Sequence, residues 1–111
     1  MSCFAGILLL VLLFAGILLS KLPFTKHASS GHQGQYSARE LVAMADDGQH
    51  HTEYFSQGRR KKAVVEIKPG LAGIIIIGCD DAQDPVIVSG YACRSAWLKK
   101  NLRNARKIEE I

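Results

Sequence analysis

Three groups of side chains in this chain are of types that do chemistry, and their spacing decides what each could do. Glu66 and Lys68 stand two apart in an apolar run, so the period of a strand would place a carboxylate and an ammonium on one face. Asp46, Asp47, His50, His51 and Glu53 form a local set of metal-capable groups. A metal needs ligands that converge, whereas adjacent His50 and His51 on extended chain point opposite ways, so a solvated loop is expected there. Asp80, Asp81 and Asp84 supply oxygen but lack the glycine and terminal glutamate of a calcium-binding loop. No serine or cysteine lies in a nucleophile frame, and no glycine-rich phosphate loop occurs. The sequence therefore assigns no catalytic residue, no metal ligand and no cofactor.

Val65-Glu66-Ile67-Lys68 resembles the E-x-K element of the PD-(D/E)xK nuclease superfamily. That resemblance implies a strand whose acid and lysine face a metal and the scissile phosphate. The upstream aspartate of the pattern falls on Asp46 or Asp47, at an expected helix end, with no Pro-Asp pair before it. A membrane-tethered, metal-dependent nuclease is accordingly the alternative reading. Alternating charges on the exposed side of a strand account for the same residues without a metal.

Two basic groups suggest binding instead. Arg59, Arg60, Lys61 and Lys62 are consecutive beside an expected hairpin turn. Farther on, a helical step from Arg94 gathers Trp97, Leu98, Leu102, Ala105 and Ile108 in an arc of about 140°, opposite Lys99, Lys100, Arg103, Arg106 and Lys107. This pattern predicts a basic amphipathic helix whose cations meet an anionic surface, either lipid headgroups or an acidic partner. Tyr and Phe are not interleaved with these cations, which disfavours nucleic acid.

Charge and hydropathy set the frame for these groups. The formal net charge is +4, and every Lys, Arg, Asp and Glu follows a run of uncharged residues from Cys3 to Leu19. As a helix, Met1 to Leu19 would cover roughly 28 Å, close to the hydrocarbon thickness of a bilayer. A cleaved secretory signal is the rival, but no Lys or Arg precedes the run and the exit sites place Leu18 or Lys26 where a small residue is wanted. Lys21 and Lys26 after the run favour a cytoplasmic C-terminal domain. Cys79 and Cys93 have no zinc or redox spacing and are expected to be reduced core or half-buried thiols, or a disulfide in the opposite orientation.

The expected organisation is a transmembrane anchor over 1–20, a flexible linker over 21–36, and a small α+β domain over 37–111. In the linker, Leu22, Pro23 and Phe24 are expected at the headgroup level. Ser37-Ala38-Arg39-Glu40 has capping-box spacing and should open a helix with Leu41, Val42, Met44 and Ala45 on its apolar side, closed by Gly48. Strands are expected over 53–56, 62–68, 72–78 and 86–89, with Pro69-Gly70 as a turn. The run Ile74 to Ile77 lacks alternation, so both its faces should be covered, as in a central strand. These elements predict an antiparallel sheet of three or four strands packed by an N-terminal helix and the C-terminal basic helix.

The function expected is a single-pass, membrane-anchored, non-enzymatic interaction or assembly module with lipid and protein partners. A further alternative is a small viral or membrane-active protein in which the span is the working part. Small triple-gene-block movement proteins of plant viruses resemble the chain in one N-terminal span followed by a glycine and a later cysteine, here Gly70 and Cys79. The first cysteine of that pattern falls near Val64, and the segment from Lys21 to Lys62 has no counterpart in it.

Overall fold

A computed structural model describes residues 18–26, 28 and 36–109. The expected transmembrane segment lies outside the described residues, apart from its last few. Among the described residues no helix is long and apolar enough to cross a membrane.

The domain is α+β, built on a five-stranded antiparallel sheet instead of the three or four strands expected. Its elements are α1 (Ala38–Asp46), β1 (Thr52–Gln57), β2 (Arg60–Lys68), β3 (Leu71–Cys79), β4 (Pro85–Arg94), α2 (Leu98–Asn101) and β5 (Arg106–Ile108). The spatial order is β4-β3-β2-β1-β5: a four-strand meander with β5 added beyond β1. Gly58 (φ 62°) and Gly70 (φ 87°) supply the left-handed backbone at the two tight hairpin turns.

The capping box opens α1 as the sequence indicates. Ser37 Oγ accepts the Glu40 N–H at 3.2 Å, and Glu40 Oε1 accepts the Ser37 N–H at 3.3 Å. The helix lays Ala38, Leu41 and Val42 on one sheet face, against Ala63, Ile75, Ile77 and Ile87. Burial of each large aliphatic side chain there is worth roughly 1.5–3 kcal/mol. The fit is close at Gly90, where a Cβ would lie 2.9 Å from the Ala38 Cα.

The isoleucine run behaves as read. Ile74 and Ile75 are wholly buried on opposite faces of β3. β3 is an interior strand between β2 and β4, although β2 holds the middle of the five. On the face away from α1, Val64, Ala72 and Ile74 are covered by Leu98 and Leu102.

The C-terminal basic helix is not formed. A 3-10 turn, Ser95–Trp97, leads into the short α2, and Asn104 at φ 62° ends the helical course before β5. Two competing interactions explain the change. Arg106–Ile108 pairs with the open edge of β1 through Ser56, Phe55 and Tyr54. In addition, the Asn101 carbonyl is taken by Lys62 Nζ at 2.9 Å and by Gln57 Nε2 at 3.3 Å, while Gln57 Nε2 also reaches the Arg103 carbonyl at 2.7 Å. Carbonyls that would have continued the helix are thus satisfied from the sheet.

The described residues before α1 also depart from the expectation. Leu19–Lys21 forms a 3-10 turn, Leu19 and Leu22 join the core beneath α1, and Phe24 packs against that core under the Arg39 guanidinium, 4.4 Å above its ring. Both carboxylate oxygens of Asp46 accept backbone N–H groups here, from Leu19 at 2.9 Å and Ser20 at 2.8 Å. Pro23 and Thr25 then exchange backbone bonds with Ile87 on the outer edge of β4. Leu22 and Phe24 therefore bury their apolar surface in the domain and not among headgroups.

Gly90→Val should destabilise the full chain by about 1–3 kcal/mol through overpacking against α1, seen as a lower midpoint in a chemical melt. Asp46→Ala should leave the fold in place yet speed hydrogen exchange at the Leu19 and Ser20 amides by about tenfold or more, because a charge-assisted bond is worth roughly 1.5–3 kcal/mol.

Candidate functional site

The strongest candidate surface is the outer side of α2 and the turn after it. Leu98, Asn101 and Leu102 face the sheet, while Lys99 and Lys100 are exposed on the outer side of this short element. Trp97, at its start, is 50% exposed, and Lys100 Nζ lies 5.2 Å above its ring. Lys99, Lys100, Leu102, Arg103 and Asn104 line a shallow depression of about 560 Å³ beside it. Among the described residues no carboxylate pairs with Lys99, Lys100 or Arg103.

Asn101 fixes this surface in place. Its amide nitrogen donates to the Trp97 carbonyl at 2.9 Å, and its amide oxygen accepts from the Tyr91 hydroxyl at 3.2 Å. Burial pushes the Tyr91 hydroxyl pKa up, then the neighbouring Cys93 adds to it, so the group stays a neutral donor. Burial likewise pushes the Lys62 ammonium down. Lys62 is spent on the Asn101 carbonyl, which removes it from any outward-facing binding set.

The remaining basic candidates are dispersed. Arg106 and Lys107, adjacent in β5, point to opposite sheet faces, so the expected single stripe of cations is broken by the strand's period of two. Lys107 Nζ sits 3.2 Å from Glu53 Oε1. Arg59, Arg60 and Lys61 project at the exposed β1–β2 hairpin end, as the turn predicts. Arg59 and Arg60 line a cleft of about 580 Å³ with Gly78, Cys79, Asp80, Gln83 and Val88.

Nothing converges around Glu66. Glu66 and Lys68 are both exposed on either side of Ile67, which packs toward the α1 core, and the β2–β3 register shifts between them. The Glu66 N–H donates to the His51 carbonyl at 2.8 Å, and Glu66, Lys68, His50 and His51 line one open depression of about 410 Å³. The two histidines are already engaged: His50 Nδ1 lies 2.8 Å from Asp47 Oδ2, and His51 Nε2 lies 3.2 Å from Glu53 Oε1. Asp46 is drawn away to the Leu19–Ser20 turn. Among the described residues no group of three His, Cys, Asp or Glu side chains is placed to hold a metal.

Asp80 organises its own loop, accepting the Ala82 and Asp84 N–H groups at 2.9 Å each. Cys79 and Cys93 are free thiols, the first exposed and the second half-buried with its pKa raised by burial. Cys79 closes one end of β3 while Cys93 pairs with Ala72 near the other. Roughly 20 Å of strand separates them, well beyond disulfide reach.

Sequence reasoning missed Asn101, Gln57 and Tyr91, whose roles depend on partners distant in the chain. The one available signal is that Asn101 and Asn104, poor helix formers, interrupt the expected C-terminal helix. No family model matches the chain, and neither a curated protein nor a solved structure does.

Glu53 gives a pH test. The His51 contact and then Lys107 hold its carboxyl below the ordinary value of 4.5. The pair's contribution is therefore complete above that value and is lost as pH falls through the lower folded-state pKa. Glu53→Gln should lower stability near neutral pH by no more than about 1 kcal/mol, as for other exposed pairs. Acid melts of variant and parent should converge at the low end of that window.

Proposed function

We propose that this protein is a single-pass membrane-anchored, non-enzymatic interaction module whose basic C-terminal surface binds an anionic surface, with the folded domain on the cytoplasmic side. The observation that carries the reading is the α2 surface: Trp97 half exposed, Lys100 over its ring, and Lys99 and Arg103 beside it without acidic partners among the described residues. An exposed indole among cations offers apolar contact area and charge attraction in one patch. The long uncharged run before Leu19 and the basic residues just after it support the anchor and its orientation.

Catalysis finds less support. The prior engagement of Asp46, Asp47, His50 and His51 leaves no converged acid pair for a metal beside Glu66 among the described residues.

The full chain should resist alkaline extraction from membranes, and a reporter fused after Ile111 should read as cytoplasmic. Reconstituted in neutral vesicles, it should bind phosphatidylserine vesicles or an acidic polypeptide. The triple variant Lys99→Glu, Lys100→Glu, Arg103→Glu should bind about a hundredfold more weakly, at ~1 kcal/mol per cation removed. Parent protein that binds neither anionic probe would refute the proposal.

A further inference from the structure

The way the chain leaves the domain bears on which anionic surface α2 can reach. Leu19 and Leu22 pack with Leu41, Val42, Ala63, Ile75 and Ile87, on the α1 face of the sheet. Asp46 holds the Leu19 and Ser20 amides at that face, and Leu18, 49% exposed, marks where the chain emerges. α2 covers Val64, Ala72 and Ile74, which alternate with those residues along β2 and β3 and so lie on the opposite face.

Leu18 directly precedes Leu19, which is wholly buried in the core. If residues before Leu18 enter a bilayer, they leave the domain from its α1 side, which is opposite the side that α2 covers. Packed layers are spaced about 10 Å apart, so helix, sheet and helix set Lys99 and Lys100 roughly 20 Å from the α1 side. At physiological ionic strength, charge attraction decays over about 8 Å. The headgroups of the chain's own bilayer are thus a poor partner for this patch.

We infer that the Trp97, Lys99, Lys100 and Arg103 surface is a docking site for an acidic protein segment presented from the side away from the membrane. This rests on the anchored reading above and names the partner that reading leaves open. The chemistry of the patch fits such a segment. Cations that meet no carboxylate among the described residues rim a depression with Leu102 in its wall and the Trp97 indole beside it, which suits carboxylates spaced around an apolar side chain.

Trp97 is the only tryptophan in the chain, so its emission reports on the patch directly. The full chain would be reconstituted in phosphatidylcholine vesicles containing phosphatidylserine and separated by flotation. Headgroup spin-labelled lipid should leave Trp97 emission unchanged. Added polyglutamate should alter it saturably, with a half-point that rises about tenfold or more in high salt. In the Leu18→Trp, Trp97→Phe double variant, the same labelled lipid should quench strongly. Quenching of Trp97 by labelled lipid would overturn the inference and make the bilayer the occupant. So would silence toward polyglutamate, or tighter binding of an oligonucleotide. Failure of the chain to float with the vesicles would instead refute the anchor, a separate outcome.

Discussion

β3 is apolar on both sides, and that requirement governs the rest of the domain. Ile74 and Ile75 must both be kept from water although they point in opposite directions. One layer of helix cannot do this. α1 together with Leu19 and Leu22 covers one side, and the chain after β4 must return across the other. The short α2 and the residue that caps it answer that second demand, through Leu98 and Leu102. Its shortness follows too, since the same segment must still reach the free edge of β1.

Asn101 stands where these demands meet. It ends the helix, receives Lys62 and Gln57 from the sheet on its carbonyl, and ties Trp97 and Tyr91 together through its amide. A half-buried ammonium at the end of a helix is electrostatically suited to the carbonyl it meets. The exposed cations nearby are thus framed by partly buried hydrogen bonds that leave their own charge unspent.

Local signals in the sequence proved readable where the interactions themselves are local. Ser37 and Glu40 are three apart and cap each other, and Pro69-Gly70 turns the chain between neighbouring strands. The unbroken run of isoleucines conveyed burial on both sides because no polar residue relieves it. What the sequence hid depends on remote partners. Arg106–Ile108 has a helix-compatible pattern and becomes a strand because β1 offers unpaired backbone. Leu19 and Leu22 look like the tail of an apolar run, since their pocket is assembled from residues far along the chain. Glu66 and Lys68 are both exposed and line one depression, as the strand period indicates, but no acid joins them because Asp46 and Asp47 are engaged with Leu19, Ser20 and His50.

Fastening Leu19 and Ser20 to Asp46, and then Pro23 and Thr25 to Ile87, sets the first attachments of the chain in series. Any pull along the leading segment would meet the paired carboxylate bonds before it reached β4. The join therefore acts as a strain relief, sparing the sheet until that clasp gives way.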